Sequence, residues 1–212
     1  RQVTGDSAIY RAEYFFNVVP GDAIINFRPP RLASPPKEWL PKGLPPSYIL
    51  LHATAAWRRK CWLPERWAKT MNELASQGVG PFVVTGGRAE WESEYVQAIA
   101  NAGGGEFINI CGATSLAEYL AVVANAEALL CIDGSSSHLA AAFQRPAITL
   151  FGPSSPLHWH FATPHSVAID ARTFCGERNP SASHIPTETV VSSFLNLMGK
   201  RDGLFAKVEL NK

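Results

Sequence analysis

The sequence predicts an α/β fold built on a doubly wound parallel sheet. From Tyr48 onward, short apolar runs alternate with helix-period segments at about 20–30 residues per unit, as successive βα units do. The runs are continuously apolar, as in Leu129-Leu130-Cys131-Ile132, which suits strands covered on both faces. Most of them end in glycine and hydroxylated residues, the composition of short loops at the carboxyl edge of such a sheet.

Strands are expected at Tyr48–Ala53, Pro81–Thr85, Glu106–Ile110, Ala128–Ile132, Ala147–Phe151 and Ser166–Ile169. Helices are expected near Pro64–Gln77, Glu90–Ala102, Ser115–Asn125, Ser136–Phe143 and Thr187–Met198. Pro64 suits a first helical turn, Ser115-x-x-Glu118 forms a capping box, and Thr187 is the expected N-cap of the last helix. Residues 1–46 differ from the rest. A short amphipathic helix is expected at Ala8–Val19, and eight prolines then fall between Pro20 and Pro46, giving an extended connector. The expected organisation is therefore residues 1–46 as helix and linker, 47–186 as the α/β domain, and 187–212 as a closing helix and tail.

Composition narrows the function classes. Of the 212 residues, 46% are hydrophobic and 17% charged, which favours a packed core over disorder. Nineteen Lys and Arg against eighteen Asp and Glu leave a formal charge of +1, with no general attraction for nucleic acid. No apolar stretch approaches the roughly 20 residues of a membrane helix. There is no secretory signal, and the chain opens on Arg1, so it reads as a fragment or processed piece. The four cysteines form no C-x-x-C pair, which points to a reducing, cytoplasmic setting.

Ligands of doubly wound sheets bind outside the carboxyl ends of the strands. The densest signal there is Asp133-Gly134-Ser135-Ser136-Ser137-His138. A strand ends, a Gly/Ser turn follows and a helix begins, so unpaired amides and hydroxyls gather where the helix dipole is positive. Either this is an anion cradle to which His138 also donates, or Ser135 or Ser136 caps the helix while His138 packs on a loop. Asp133, before the turn, suits structural hydrogen bonding. The loop after the first strand, Thr54 to Trp62, carries Arg58, Arg59 and Lys60 between two tryptophans. Such a run is either a solvated face or a source of one phosphate-binding cation, with Lys60 the candidate. Gly86-Gly87-Arg88-Ala89-Glu90-Trp91-Glu92 follows the second strand. Glu90 or Glu92 either accepts the ribose hydroxyls or complements the helix dipole.

The absent motifs exclude several chemistries. Without G-x-G-x-x-G after the first strand, G-x-x-x-x-G-K-[ST] or G-x-S-x-G, the chain is no ordinary dehydrogenase, P-loop enzyme or α/β hydrolase. No D-x-D is present to hold a metal on a diphosphate, and His158-Trp159-His160 reads as loop packing rather than metal ligation.

Several segments together resemble one family. Leu51-His52-Ala53-Thr54, Lys60-x-Trp62-x-Pro64-Glu65-x-Trp67 and Gly86-Gly87-x-x-Glu90-x-Glu92 are similar to segments of glycosyltransferase family 9, the lipopolysaccharide heptosyltransferases. So are Asp133 to Ala142 and Pro146 to Pro153, the likeness covering about residues 48–160 in order. It implies a GT-B enzyme made of two Rossmann-like domains, of which this chain is the C-terminal, donor-binding one. By the same resemblance, Thr54 and Lys60 contact phosphate, Glu92 binds the ribose, and Ser135 to His138 hold the diphosphate. Gly86 and Gly87 shape the site. The chain departs from the family in placing Gly134 before Ser135, in having Ala55 where some members have a second Thr, and in a Lys60 spacing one residue longer.

The implied reaction is inverting transfer from an ADP-sugar, expected to be ADP-heptose, to a lipopolysaccharide core or related glycan. This half stabilises charge on the departing diphosphate without a metal or other cofactor. The catalytic base and the acceptor site belong to an N-terminal domain. No catalytic residue is assigned here, and the fragment alone is expected to be inactive. The implied location is the cytoplasm, with peripheral contact at the inner membrane face. A GT-B-type sugar-nucleotide epimerase and a non-catalytic nucleotide-binding module remain alternatives, as does an unrelated doubly wound fold with a merely structural Gly/Ser edge.

Overall fold

The computed structural model describes residues 31–209, with side chains through residue 199. The helix expected at Ala8–Val19 lies outside the described residues. Six strands form one sheet: β1 (Ile49–His52), β2 (Phe82–Thr85), β3 (Phe107–Asn109), β4 (Ala128–Ile132), β5 (Ala147–Phe151) and β6 (Ser166–Asp170). Their order is β3-β2-β1-β4-β5-β6, and every pairing is parallel. This is the order of the dinucleotide-binding doubly wound folds, and it reverses between β1 and β4. Register sets His52 beside Thr85 on one side and Cys131 on the other, so the carboxyl ends of the three central strands lie level.

Side-chain alternation along β1 feeds two cores. Ile49 and Leu51 join Trp62, Trp67, Met71 and Phe194 on one face, while Tyr48 and Leu50 join Val122, Leu129 and Ala140 on the other. Both faces are covered, so none of the three central strands needs an alternating polar pattern. Helix α1 (Pro64–Ala75) begins with Pro64 in its first turn and buries Trp67, Ala68, Met71 and Leu74 at the spacing of one helical face. Helices α2 (Glu90–Asn101), α3 (Leu116–Asn125) and α4 (Ser135–Ala142) follow β2, β3 and β4. The Ser115 capping box is formed: its hydroxyl accepts from the Glu118 amide, and the Glu118 carboxylate accepts from the Ser115 amide at 2.7 Å.

Two short helices, α5 (Pro156–Trp159) and α6 (Arg172–Cys175), were not legible as periodic segments. The last helix, α7 (Thr187–Glu209), runs further than expected and begins at Thr187 itself, so that residue opens the helix rather than capping it. Its Val190, Val191, Phe194 and Leu197 enter the first core. Residues 31–46 contain one 3₁₀ turn (Lys37–Trp39) and pack rather than float. Leu40 and Leu44 lie on the second core, and the Leu32 amide donates to the Ala142 carbonyl at 3.2 Å.

Candidate functional site

A cavity of about 540 Å³ opens over the carboxyl ends of β1, β2 and β4, where the strand order reverses. Thr54, Lys60, Gly86, Gly87, Glu92, Asp133, Gly134 and Ser135 all line it. The chain brings them together from the three segments that follow β1, β2 and β4, because those segments share one sheet edge.

The β2 side is organised by Glu92, in the first turn of α2. Its carboxylate turns back from the helix and accepts from the Thr54 hydroxyl at 2.5 Å and the Gly87 amide at 2.8 Å. This fold-back needs Gly87, because a Cβ there would stand 2.3 Å from Glu92 Oε1. At Gly86 a Cβ would meet Cys111 Sγ at 2.6 Å and Thr54 Oγ1 at 3.0 Å. The paired glycines therefore make room for a carboxylate and a thiol, while Thr54, fully buried, ties the end of β1 to the start of α2. Glu90 is exposed and does not line the cavity, so Glu92 alone of the two carboxylates faces it.

The β4 side is organised by Asp133, only 3% exposed. It accepts from Lys60 Nζ at 2.7 Å and from the Ser154 hydroxyl at 2.5 Å, joining the loops after β1 and β5 to the end of β4. Structural hydrogen bonding is what the sequence suggested for Asp133, but the ion pair with Lys60 was not anticipated. Lys60 closes a 3₁₀ turn (Arg58–Lys60) whose exit is anchored by Trp62. That indole is buried, meets Trp67 edge to face at 4.9 Å and donates to the Ile185 carbonyl at 3.2 Å. The cavity wall beside Lys60 is Trp57, not Trp62. Arg58 and Arg59 turn outward, over the rings of Trp91 and Trp57.

Helix α4 starts one residue earlier than expected, at Ser135, with Gly134 as its extended N-cap and no capping side chain. Neither Ser135 nor Ser136 caps it, and the Ser137 hydroxyl donates back to the Gly134 carbonyl at 2.8 Å. The first amides of the helix thus have no side-chain acceptor, the arrangement that receives anions. Gly134 and exposed Ser135 reach the cavity, whereas the side chains of Ser136, Ser137 and His138 do not line it. Burial lowers the pKa of His138, Asp133 partly offsets that, and Lys60 adds to the lowering.

Other lining residues had no assigned role in the sequence reading: His52, Trp57 and Arg88 stood inside the segments it singled out, and Tyr119 was not among them. His52 ends β1, and its Nδ1 has no hydrogen-bond partner among the described residues. Burial pushes its pKa down to about 4, with Glu92 pulling the other way. The ring lies 5.6 Å from that of Tyr119, whose hydroxyl burial raises to about 12 against the pull of the Ser135 and Ser136 side chains. Tyr119 could have been found from its spacing: it stands one helical turn beyond Ser115, the cap that faces the same edge.

His160 packs edge to face on Phe151 at 6.0 Å and meets Ser166 Oγ at 3.2 Å. Among the described residues, Cys175, Glu177 and His184 are the donors close enough together to share a metal, within 4.8 Å of one another, and none of them lines the cavity. All four cysteines are free thiols.

The chain is similar to known proteins in sequence and in fold. The chain is 30% identical over 113 residues to lipopolysaccharide heptosyltransferase 1 of Salmonella typhimurium, covering 52% of this chain and 33% of that protein. Against lipopolysaccharide heptosyltransferase 3 of Escherichia coli K12 it is 26% identical over 165 residues, covering 74% and 48%. The chain therefore spans about a third to a half of the length of these curated relatives. Its fold is similar to that of a glycosyltransferase family 9 protein from Veillonella parvula, with TM-score 0.75, 18% identity and coverage of 94% and 63%. An E. coli heptosyltransferase solved with ADP is also similar, with TM-score 0.61, 24% identity and coverage of 74% and 46%. The family model for glycosyltransferase family 9 (heptosyltransferase) matches residues 34–184, across the whole sheet and every loop of the cavity, and the chain belongs to that family.

Proposed function

We propose that this chain is the donor-binding half of a GT-B glycosyltransferase and that its cavity holds an ADP-sugar, ADP-heptose being the first candidate. One observation carries the reading. A single cavity presents a carboxylate held by Thr54 and Gly87 on one side, and Lys60 beside an uncapped helix start on the other. Glu92 suits the two hydroxyls of a ribose, as acidic residues do in other nucleotide folds. Lys60 and the amides of Ser135 to Ser137 suit a diphosphate.

In inverting transfer an acceptor hydroxyl attacks the anomeric carbon and the nucleoside diphosphate departs. The demand on this half is to stabilise negative charge growing on the leaving group. Lys60 meets it by exchanging the Asp133 carboxylate for phosphate oxygens, while the α4 amides are already aimed at the cavity. The base that accepts the hydroxyl proton, and the binding of a lipopolysaccharide or related glycan acceptor, are assigned to a second domain across the cleft. Neither metal nor another cofactor is assigned to the step, and a cytoplasmic setting at the inner membrane face belongs to the same proposal. No described helix is long and apolar enough to cross a membrane.

Calorimetric titration of ADP, UDP and GDP tests the reading. Preferential binding of ADP is expected. Equal affinities, or preference for UDP, would refute an ADP-sugar site.

A further inference from the structure

Away from the cavity, three side chains of different chemistry converge on one short segment. Cys175 Sγ, a carboxylate oxygen of Glu177 and a ring nitrogen of His184 lie within 4.8 Å of one another. Cys175 is a free thiol. His184 Nε2 stands 3.5 Å from Glu177 Oε1, a pair that is ionic only when the imidazole is protonated. Such a pair leaves the thiol unused, whereas a metal ion engages all three.

Both ends of this segment are fixed by their neighbours. Cys175 closes α6, and Arg172, at the start of that helix, donates to Asp170 Oδ1 and to the carbonyls of Gly152, Pro153 and Ser154. His184 closes a 3₁₀ turn (Ala182–His184) that is seated on Gly152: Ala182 is fully buried, and a Cβ at Gly152 would stand 2.8 Å from its nitrogen. The next carbonyl, that of Ile185, accepts from Trp62 Nε1 at 3.2 Å and from Arg66. Thiol and imidazole are therefore placed before any ion arrives, which lowers the ordering cost of binding. Between them the chain turns at Gly176, in the left-handed region at φ 71°, and residues 176–179 are exposed. Glu177 is the ligand with room to adjust.

The donor set selects the ion. Thiolate with imidazole suits Zn²⁺, whereas Mg²⁺ and Ca²⁺ take oxygen ligands. Around a tetrahedral zinc with bonds of about 2.0–2.3 Å, ligand atoms are about 3.3–3.8 Å apart, so small side-chain rotations close the triad. Three protein ligands leave the fourth position to water. We infer that Cys175, Glu177 and His184 form a zinc site that closes the loop 176–183. On binding, the Cys175 thiol gives up its hydrogen bond to the Ala171 carbonyl and releases its proton to solvent, and a sulfur lone pair forms the bond to zinc. None of the three residues lines the donor cavity, so the ion holds the loop and does not meet the diphosphate.

Calorimetry under reducing conditions, with Zn²⁺, Co²⁺ and Mg²⁺ titrated into the metal-free chain, tests the site. A single Zn²⁺ is expected to bind, releasing about one proton and exceeding Mg²⁺ in affinity by about tenfold or more. Co²⁺ should give a thiolate-to-metal charge-transfer band that Cys175→Ala abolishes. Cys175→Ala and His184→Ala should each weaken zinc by about tenfold or more. Glu177→Gln, at an exposed side chain that the core does not feel, should weaken it by about threefold or more. Zinc should slow tryptic cleavage after Arg178 in the wild type but not in Cys175→Ala, because closing the loop suppresses its local opening. ADP affinity with zinc and in EDTA should agree within about twofold, which keeps this test separate from the donor reading. Absence of zinc binding, equal affinity for Mg²⁺, or zinc binding and a charge-transfer band that survive Cys175→Ala would overturn the inference. Cleavage after Arg178 that ignores zinc would overturn the loop-closing role.

Discussion

Lys60 Nζ lies 2.7 Å from Asp133 Oδ2, so the cation best placed for phosphate is already paired with a carboxylate at the end of β4. The side chains are 20% and 4% exposed, which makes the pair stronger than a surface contact and costly to break from one side. A diphosphate must compete with Asp133 for the same ammonium group. Asp133→Asn keeps the shape and an acceptor for Ser154 but removes the competing charge. It is expected to tighten ADP binding several-fold while lowering unfolding stability by about 1–3 kcal/mol, less than for a fully buried pair. Calorimetry and urea titration on the same preparation check both signs. Weaker ADP binding would show that Asp133 positions Lys60 for phosphate rather than restraining it.

The adjacent glycines should separate folding from binding. At Gly87 an added Cβ meets the far end of the Glu92 side chain, which can swing away. Gly87→Ala is therefore expected to cost less than about 1 kcal/mol of stability yet weaken ADP by about tenfold through loss of a ribose contact. At Gly86 the Cβ meets the Cys111 sulfur and the buried Thr54 hydroxyl, which have less freedom. Gly86→Ala is expected to cost about 1–3 kcal/mol, as overpacking does. Equal stability losses in the two variants would show that Glu92 is not free to move.

Acid should destabilise the fold through its histidines. His52 has a folded pKa of about 4, below its ordinary value of roughly 6.5, so the unfolded chain binds more protons between those two values. Its contribution is fully present above about pH 6.5 and is lost as the pH falls toward 4, amounting to about 2–3 kcal/mol between pH 7.5 and 4.5. His138 and His160, also lowered by burial, act in the same direction. The lowered carboxyls of Glu118 and Glu188 lose their share at still lower pH. His52→Gln should flatten the pH dependence measured by urea unfolding. An unchanged slope would mean that His52 does not titrate with folding.

The sheet was legible because the central strands are largely apolar runs, and α1 and α3 carry local start signals in Pro64 and the Ser115 box. The ends of α5 and α6 were not, because one helical turn contains too few residues to show a period. Within the site, glycine pairs and hydroxyls marked the loops, but contacts between loops stayed hidden. Nothing in the spacing shows that Asp133 meets Lys60 across 73 residues, or that Glu92 rather than Glu90 turns inward. Those choices are made by the sheet register and by the space that Gly87 leaves. The serine run was the most misleading element: three hydroxyls look alike in sequence, yet among their side chains only Ser135 reaches the cavity.

Nucleotide binding should not depend on a divalent ion. Lys60 and the uncapped amides of α4 supply the positive potential that a metal would otherwise bring to a diphosphate. ADP affinity in excess EDTA is expected to match that in magnesium within about twofold, whereas a loss of about tenfold or more would place a metal in the site.

The most direct measurement compares ADP with AMP on the wild-type chain and on Lys60→Ala, Arg58→Ala and Arg59→Ala. A diphosphate site centred on Lys60 requires Lys60→Ala to weaken ADP by about 10- to 150-fold, the worth of a charge-assisted hydrogen bond of roughly 1.5–3 kcal/mol. Each arginine substitution should cost less than about 1 kcal/mol, because both guanidinium groups face outward. AMP, lacking the second phosphate, should bind the wild type weakly and be nearly indifferent to Lys60→Ala. Similar losses of ADP affinity at all three cations, or an equal loss for AMP, would contradict the assignment of this cavity to a nucleoside diphosphate.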